Sequence, residues 1–464
     1  MGHYHRDPVS GESGSGRHSR REMLRRAVAR QQADGQAREW RGLPRAERRR
    51  RLRAALRLTA EALEAESHGA VIRLADGSAL LQVQREMEAE ADALCGVQRK
   101  GAHGGGRVAY RHGHELGSIV LRGARVPVLR PRVRQAGKEL ALQTYAAYQD
   151  AEMLSEATLH ACILGVATRG YRQDQAAHAT LPEGVPVLAA SRSTVSRRFT
   201  RDAQALLEEQ LARPLQGERY LALFLDGVQL GAHQILVALG LTAAGQKQVL
   251  GLREGNSENH AVCGALLEDL VARGLSTESG LLAVVDGGKG WAAGIARVFG
   301  ARVLVQRCVV HKARNVMDKL PQTAQRRVKR ALATAWTDAN PTRAEQRLRR
   351  LADALQQQGY REAAASLREG LEDTLTHLRL RVPAALARSL RSTNAIESVF
   401  SQHRRTTRRV SRWRHGKQAE RWSAAALMEA EFRLRRLPGS GHLPALQAAL
   451  EHHARQGGCL AVGA

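Results

Sequence analysis

The chain has 464 residues, too many for one compact core, and 43% of them are hydrophobic, which excludes wholesale disorder. Lys and Arg total 72 against 45 Asp and Glu, giving a net charge of +27 and a pI ≈ 11.1. That excess points to a polyanion, because each phosphate contact releases counterions; aromatic anchors at 4% are too few for a membrane surface to rank ahead of nucleic acid.

No apolar run reaches the ~18–20 residues of a membrane span. The N-terminus, MGHYHRDPVSGESGSGRHSRR, lacks the apolar segment of a secretion signal, and Arg6 stands where myristoylation needs Ser or Thr. Five scattered cysteines (Cys95, Cys162, Cys263, Cys308, Cys459) suit a reducing compartment. The expected location is the cytoplasm, at the nucleoid.

In chain order, 1–20 reads as a disordered basic arm and 21–94 as a charged helical region centred on RAERRRRLRAALR. Residues 95–139 hold the break GAHGGG and then SIVLRGARVPVLRPRVR, whose apolar–basic alternation predicts a short β-hairpin. In 140–215 helices return. Ser191 or Ser193 can cap SRSTVSRRFTRDAQALLEEQL, leaving Thr194, Arg197 and Arg198 on its first turns. This fits a helix-turn-helix DNA reader or a plain helical hairpin with a solvated face.

From 216 to 321 the texture is α/β. YLALFLDGVQL, QILVALGL and QKQVLGL read as three strands, followed by helix, strand, helix, strand (ARVLVQRC) and a helix stopped by Pro321. Residues 322–390 are wholly helical. The segment 391–436 carries one long helix from 394, and 437–464 forms a tail.

LALFLDG and LLAVVDG share one grammar: a continuous apolar run, then Asp, then Gly. Such runs belong to central strands covered on both faces. If the two strands are neighbours, ~4.8 Å apart, Asp226 and Asp286 share the reach of one cation, and oxygen ligands select Mg²⁺ or Mn²⁺. Asp-Gly is equally a common turn. Residues 391–417 hold one acid, Glu397, among eight Lys or Arg. Asn394 and Glu397 could form a capping box. An uninterrupted helix would also align Arg404, Arg408 and His415 with Glu397, a stripe suited to a phosphodiester beside metal ions. GGKG at 287–290 fails the phosphate-loop pattern, although Lys289 can still touch a phosphate. Cys308 and His311 have the spacing of half a zinc site with no second half nearby; Cys95 with His103, His112 and His114 is a weaker candidate.

FLDGVQLGAHQILVALGL, GLREGNSENHAVCGALLEDLVARGL, VVDGGKGW, QRCVVHKARNV and STNAIESVFSQHRRTTRRVSRW resemble, in order and wording, the mutator-type family of bacterial insertion-sequence transposases. GVATRGYRQ and SRSTVSRR resemble its DNA-binding region more loosely. The resemblance implies an RNase H-like mixed sheet with helices on both faces, interrupted by an all-helical insertion. It implies a DDE triad of Asp226, Asp286 and Glu397 holding Mg²⁺, with Mn²⁺ as substitute. Cys308 and His311 match the family's Cys-x-x-His motif, in a structural or DNA-contact role. DNA contacts are expected from Lys289, Arg404, Arg405, Arg408, Arg409, Arg412, Thr194, Arg197 and Arg198. The implied partners are terminal inverted repeats and target DNA, bound by a homodimer or larger synaptic assembly, with no membrane. The rival readings are a non-catalytic DNA-binding regulator and a structure-specific nuclease with the same core.

Overall fold

The computed structural model describes residues 75–96, 109–121, 124–149, 151–168, 170–171, 185–188, 190–255 and 259–456, with a few residues between 40 and 52. The arm expected at 1–20 and most of the basic helical stretch after it lie outside the described residues. Two compact units divide the chain, Met1–Asp202 and Ala203–Ala464.

In the first unit, helix α1 (Ala75–Cys95) packs on an antiparallel sheet of β1 (Ala109–Leu121), β2 (Ala124–Gln135) and β3 (Lys138–Leu140), in that order. Leu80, Val83, Met87 and Ala91 recur at helical spacing and bury against Val126, Val128 and Val133. Gln84 sits among them because its amide is satisfied by both the carbonyl (2.6 Å) and the N–H (3.2 Å) of Leu129. Helices α2 (Gln143–Ala147) and α3 (Ala151–Ile163) follow. Helix α4 (Arg192–Ala212) is capped by Ser191, whose Oγ accepts the Thr194 N–H at 3.2 Å.

The second unit is built on a five-stranded mixed sheet. It comprises β4 (Tyr220–Leu230), β5 (His233–Thr242), β6 (Lys247–Gly255), β7 (Leu281–Val285) and β8 (Val303–Arg307), ordered β6-β5-β4-β7-β8. β4, β5 and β6 form an antiparallel meander, while β7 and β8 run parallel to β4. The parallel pairs require crossovers, supplied by α5 (His260–Ala272) and α6 (Lys289–Phe299). Asn259 caps α5, its Oδ1 accepting the N–H groups of Ala261 and Val262.

The apolar runs of β4 and β7 are continuous because both sheet faces are covered. Leu223, Leu225, Ala283 and Val285 meet Leu266, Leu270, Trp291 and Ile295 of α5 and α6 on one face. Phe224, Leu282 and Val284 meet the opposite layer, made from α12 (Ala384–Leu390), α13 (Asn394–Thr407), α14 (Gly416–Glu431) and α15 (Leu443–Arg455).

Between β8 and α12 come α7 (Val309–Met317), α8 (Gln322–Ala335), α9 (Pro341–Gln357), α10 (Arg361–Arg368) and α11 (Thr376–Arg379). Residues of α7 to α10 gather a core of their own around Val316, Val328, Leu332, Leu348 and Leu355. The return segment covers the open edge of β8: Thr376 Oγ1 donates to the Val305 carbonyl at 2.6 Å, and the Gln306 side chain accepts the His377 N–H at 2.7 Å.

One expectation is corrected. The single helix from 394 to 436 is two helices, α13 and α14, separated by residues 408–415. Arg404, Arg405, Arg408 and Arg409 repel one another within two turns, and β-branched Thr406, Thr407 and Val410 weaken the helix there. His415 then starts α14 afresh, its Nδ1 accepting the Gln418 N–H at 3.1 Å. Within the linker Trp413 covers Gly231, whose positive φ of 61° makes the β4–β5 turn and where a Cβ would stand 3.1 Å from the indole. Among the described residues no helix is long and apolar enough to cross a membrane.

His377 and His403 are both fully buried, and burial pushes each down to about 4 from 6.5. The unfolded chain therefore binds protons on these rings before the folded one does. Their contribution to stability is complete above pH 6.5 and is lost as pH falls toward about 4. Denaturant unfolding at pH 7 and pH 5 is expected to show a loss of about 2 kcal/mol for each ring. His403→Gln is expected to remove about half of that joint dependence; an unchanged dependence would exclude His403 as a source.

Candidate active site

Asp226 and Asp286 arrive together through strand register. Leu225 pairs with Val285 in the parallel β4–β7 ladder, so the next residue on each strand is Asp226 or Asp286. Alternation along β4 turns Asp226 to the side of Phe224, the face that α13 covers. The turn reading of the first Asp-Gly does not hold. β4 continues through Gly227 to Leu230, and Asp226 is paired opposite Val237 within the sheet. Gly227 leaves room for the end of the Gln234 side chain, whose Nε2 would lie 2.7 Å from a Cβ there.

The second Asp-Gly does end its strand. Gly287 takes φ +103°, and the Arg307 guanidinium fills the space that a side chain would need. Asp286 Oδ1 accepts the Gly288 N–H at 2.8 Å, which fixes its carboxylate at the start of α6.

Glu397 stands on the first turn of α13, and the capping-box reading fails on geometry. Thr393, not Asn394, occupies the cap position, with no side-chain cap bond. The Thr393 backbone N–H, which a capping glutamate would have to receive, donates to Cys308 Sγ at 3.4 Å. Glu397 Oε1 accepts from the Thr393 hydroxyl at 3.1 Å and lies 3.8 Å from His311 Nε2. Thr393 is fully buried, with its Oγ1 also 3.3 Å from His311 Nδ1 and 3.5 Å from Cys308 Sγ. Cys308 is tied in turn to the β7 end, its N–H donating to Val285 O at 2.7 Å. A continuous set of contacts thus links the residue before Asp286 to Glu397. Thr393 was not singled out from the sequence; the one signal was its place four residues before the acid, in STNAIE.

The electrostatics match this proximity. Burial pushes Asp226 up to about 6, with the Asp286 and Glu397 charges adding to the rise while the Gly227 N–H and His311 oppose it. Burial works against ionisation of Cys308, yet hydrogen bonds with His311 and Thr393 hold the thiol below its ordinary value. His311 is raised, first by its bond to Cys308 and further by Asp226 and Glu397, with burial opposing.

Among the described residues, no three His, Cys, Asp or Glu side chains are drawn close enough to cage an ion outright. Cys308 and His311 face each other and Thr393 rather than completing a zinc site, and His114 is occupied by Glu88 at 2.7 Å. The donor chemistry of the three acids does fit a hard divalent cation: oxygen only, half-buried, and mutually repelling until a positive charge intervenes.

Of the expected DNA contacts, Lys289 opens α6 beside Asp286 and is exposed. Arg404 and Arg405 are exposed on the last turn of α13, and Arg404 keeps the Glu397 face. Arg408, Arg409 and Arg412 are exposed in the 408–415 segment, so Arg408 and His415 leave the stripe that a continuous helix would have made. Thr194, Arg197 and Arg198 sit on the first turns of α4, in the N-terminal unit.

The profile of the family described as transposase, Mutator family, matches residues 53–434. The chain is similar to the transposase for insertion sequence element IST2 of Acidithiobacillus ferrooxidans, 38% identical over 175 residues, or 38% of this chain and 57% of that protein. It is also similar to the ISRM5 transposase of Rhizobium meliloti (strain 1021), 27% identical over 70% of this chain and 79% of the relative. With the IS1081 transposase of Mycobacterium tuberculosis the identity is 30%, over 58% and 64% respectively. The first and third of these relatives are thus matched over less than two thirds of their own length. Since the family profile spans well over half of the sequence, the chain belongs to the Mutator family of transposases.

Proposed function

We propose that this protein is a DDE transposase of an insertion sequence, cutting DNA at terminal inverted repeats and joining the ends to a target. The observation that carries the reading is the juxtaposition of Asp226 and Asp286 on neighbouring parallel strands, with Glu397 near enough to act on the charge of Asp226. The strand order, with a meander followed by two parallel strands, supports an RNase H-like core. The relatives' names support transposition as the activity.

Asp226, Asp286 and Glu397 would hold Mg²⁺, with Mn²⁺ as substitute. When bound, the metal supplies activation of water or a 3′-hydroxyl and charge relief at the leaving oxygen. The chain's own residues do the rest. Thr393 orients the Glu397 carboxylate through its hydroxyl, and Cys308 holds Thr393 against the end of β7. Lys289, Arg404 and Arg405 offer cations to the DNA backbone around these acids. A homodimer or larger assembly would bring two ends together, and Thr194, Arg197 and Arg198 on α4 would contribute to reading them.

Asp226→Asn, Asp286→Asn and Glu397→Gln are each expected to lower Mg²⁺-dependent nicking of element ends at least about 100-fold while binding of those ends persists. Full cleavage by any of the three variants overturns the assignment. Wild-type protein that binds ends but never nicks them would favour the regulator reading. Thr393→Val, which keeps the shape and removes the hydroxyl, is expected to slow cleavage by about 10–100-fold with end affinity and thermal midpoint near wild type. A drop in midpoint matching the drop in rate would reduce Thr393 to a fold residue.

A further inference from the structure

A cavity of about 930 Å³ opens between the α8–α9 connection and the α11–α12 region, away from the three acids along the chain. Five arginines line it, Arg343, Arg379, Arg381, Arg388 and Arg391, against two carboxylates, Asp338 and Glu345. Both carboxylates are engaged. Asp338 pairs with Arg343 at 2.6 Å and Arg347 at 3.4 Å; Glu345 pairs with Arg349 at 2.7 Å and Arg379 at 3.2 Å. Arg381, Arg388 and Arg391 have no acidic partner among the described residues.

Two features indicate that these three side chains are gathered for a ligand. Arg381 holds φ +48°, a left-handed conformation that Gly would adopt without strain, so its side chain is kept against the backbone's preference. Arg391 is half-buried beside Arg388, and burial together with that neighbouring charge lowers its pKa. A partly buried charge beside an exposed like charge is stabilised by an anion, and Arg381 and Arg388 are exposed to receive one. Guanidinium forks match phosphate oxygens in pairs, and a volume near the top of the ~300–1,000 Å³ range of ligand clefts accommodates a stretch of backbone better than one free ion. The cavity also borders the candidate site. Arg391 O accepts the Val309 N–H at 3.0 Å, next to Cys308, and Thr393 follows two residues later.

We propose that Arg381, Arg388 and Arg391 form a phosphodiester-binding site, by which the helical segment grips a DNA backbone that runs on from the scissile region. This rests on the transposase reading and adds to it a contact surface outside the acids and the α13 arginines. The contact is to phosphates and carries no base preference.

The test uses the full-length protein with Arg381→Gly and Arg388→Gln combined. Its affinity is measured by fluorescence anisotropy for a labelled element-end duplex and for a scrambled duplex of equal length, between about 50 and 200 mM salt. Two lost phosphate contacts are expected to flatten the slope of log affinity against log salt by about 2, equally on both duplexes. The thermal midpoint should stay at or above wild type, since Gly relieves the strain at 381. Arg349→Gln, which removes an ion-paired arginine, should leave the slope unchanged. A double variant with the wild-type slope, in a protein that still binds and nicks element ends, overturns the site while leaving the transposase reading intact. Loss confined to the element-end duplex also overturns it, because that would be base recognition. Wild-type protein that binds neither duplex overturns both proposals.

Discussion

The candidate site depends on one constraint: a carboxylate at the rim of a sheet that is covered on both sides cannot be fully hydrated. β7 and the first six residues of β4 are buried, with the partly exposed Asp226 following them, because α5 and α6 lie on one face and α12 to α15 on the other. The same burial that makes these strands stable holds Asp226 and Asp286 side by side and raises the cost of the Asp226 charge. A divalent cation offsets that cost more directly than protonation does, since it acts on both groups at once. Stability and the proposed chemistry therefore draw on the same burial.

The third acid is held by a different device. Helix α13 packs on β4 through Ile396, Val399 and Phe400, which fixes its axis but not the direction of a glutamate on its first turn. That direction comes from Thr393, whose N–H and hydroxyl face Cys308, His311 and Glu397. Cys308 is buried, hydrogen-bonded to Val285 and Thr393, and next to the His311 ring, so the Cys-x-x-His pair acts as a bracket between two acidic positions. An ordinary zinc half-site would instead present both side chains toward one open point.

Much of this was legible in the sequence. The strands of the second unit stand out as apolar runs, because burial on both faces removes the alternation that would hide them among helices. Asp226, Asp286 and Glu397 stand out as acids at the rim of such runs or at the head of a basic one. Other features were not legible. The break after Thr407 depends on repulsion summed over several arginines and on Trp413 finding Gly231, a contact between positions far apart in sequence. Thr393 was passed over in favour of Asn394 as the cap, since its partners lie 82 and 85 positions away. Which of the two Asp-Gly pairs ends its strand was also hidden, although YLALFLDGVQL read as one strand, because the pair looks identical inside a strand and after one.

The helices α7 to α10 have their own interior, separate from the cores that flank the sheet. The chain leaves β8 at Val309 and is fastened back onto the same strand at Thr376 and His377, while Arg391 O closes onto Val309. A module with both feet on one strand transmits little of its own size or shape to whatever it is attached to. The outer surfaces of α8 and α9 are free to diverge in charge, because the contacts that hold Glu397 come from Cys308, from His311 on α7 and from Thr393. Such an arrangement lets the sheet and its rim of acids stay constant while what grows from that strand changes.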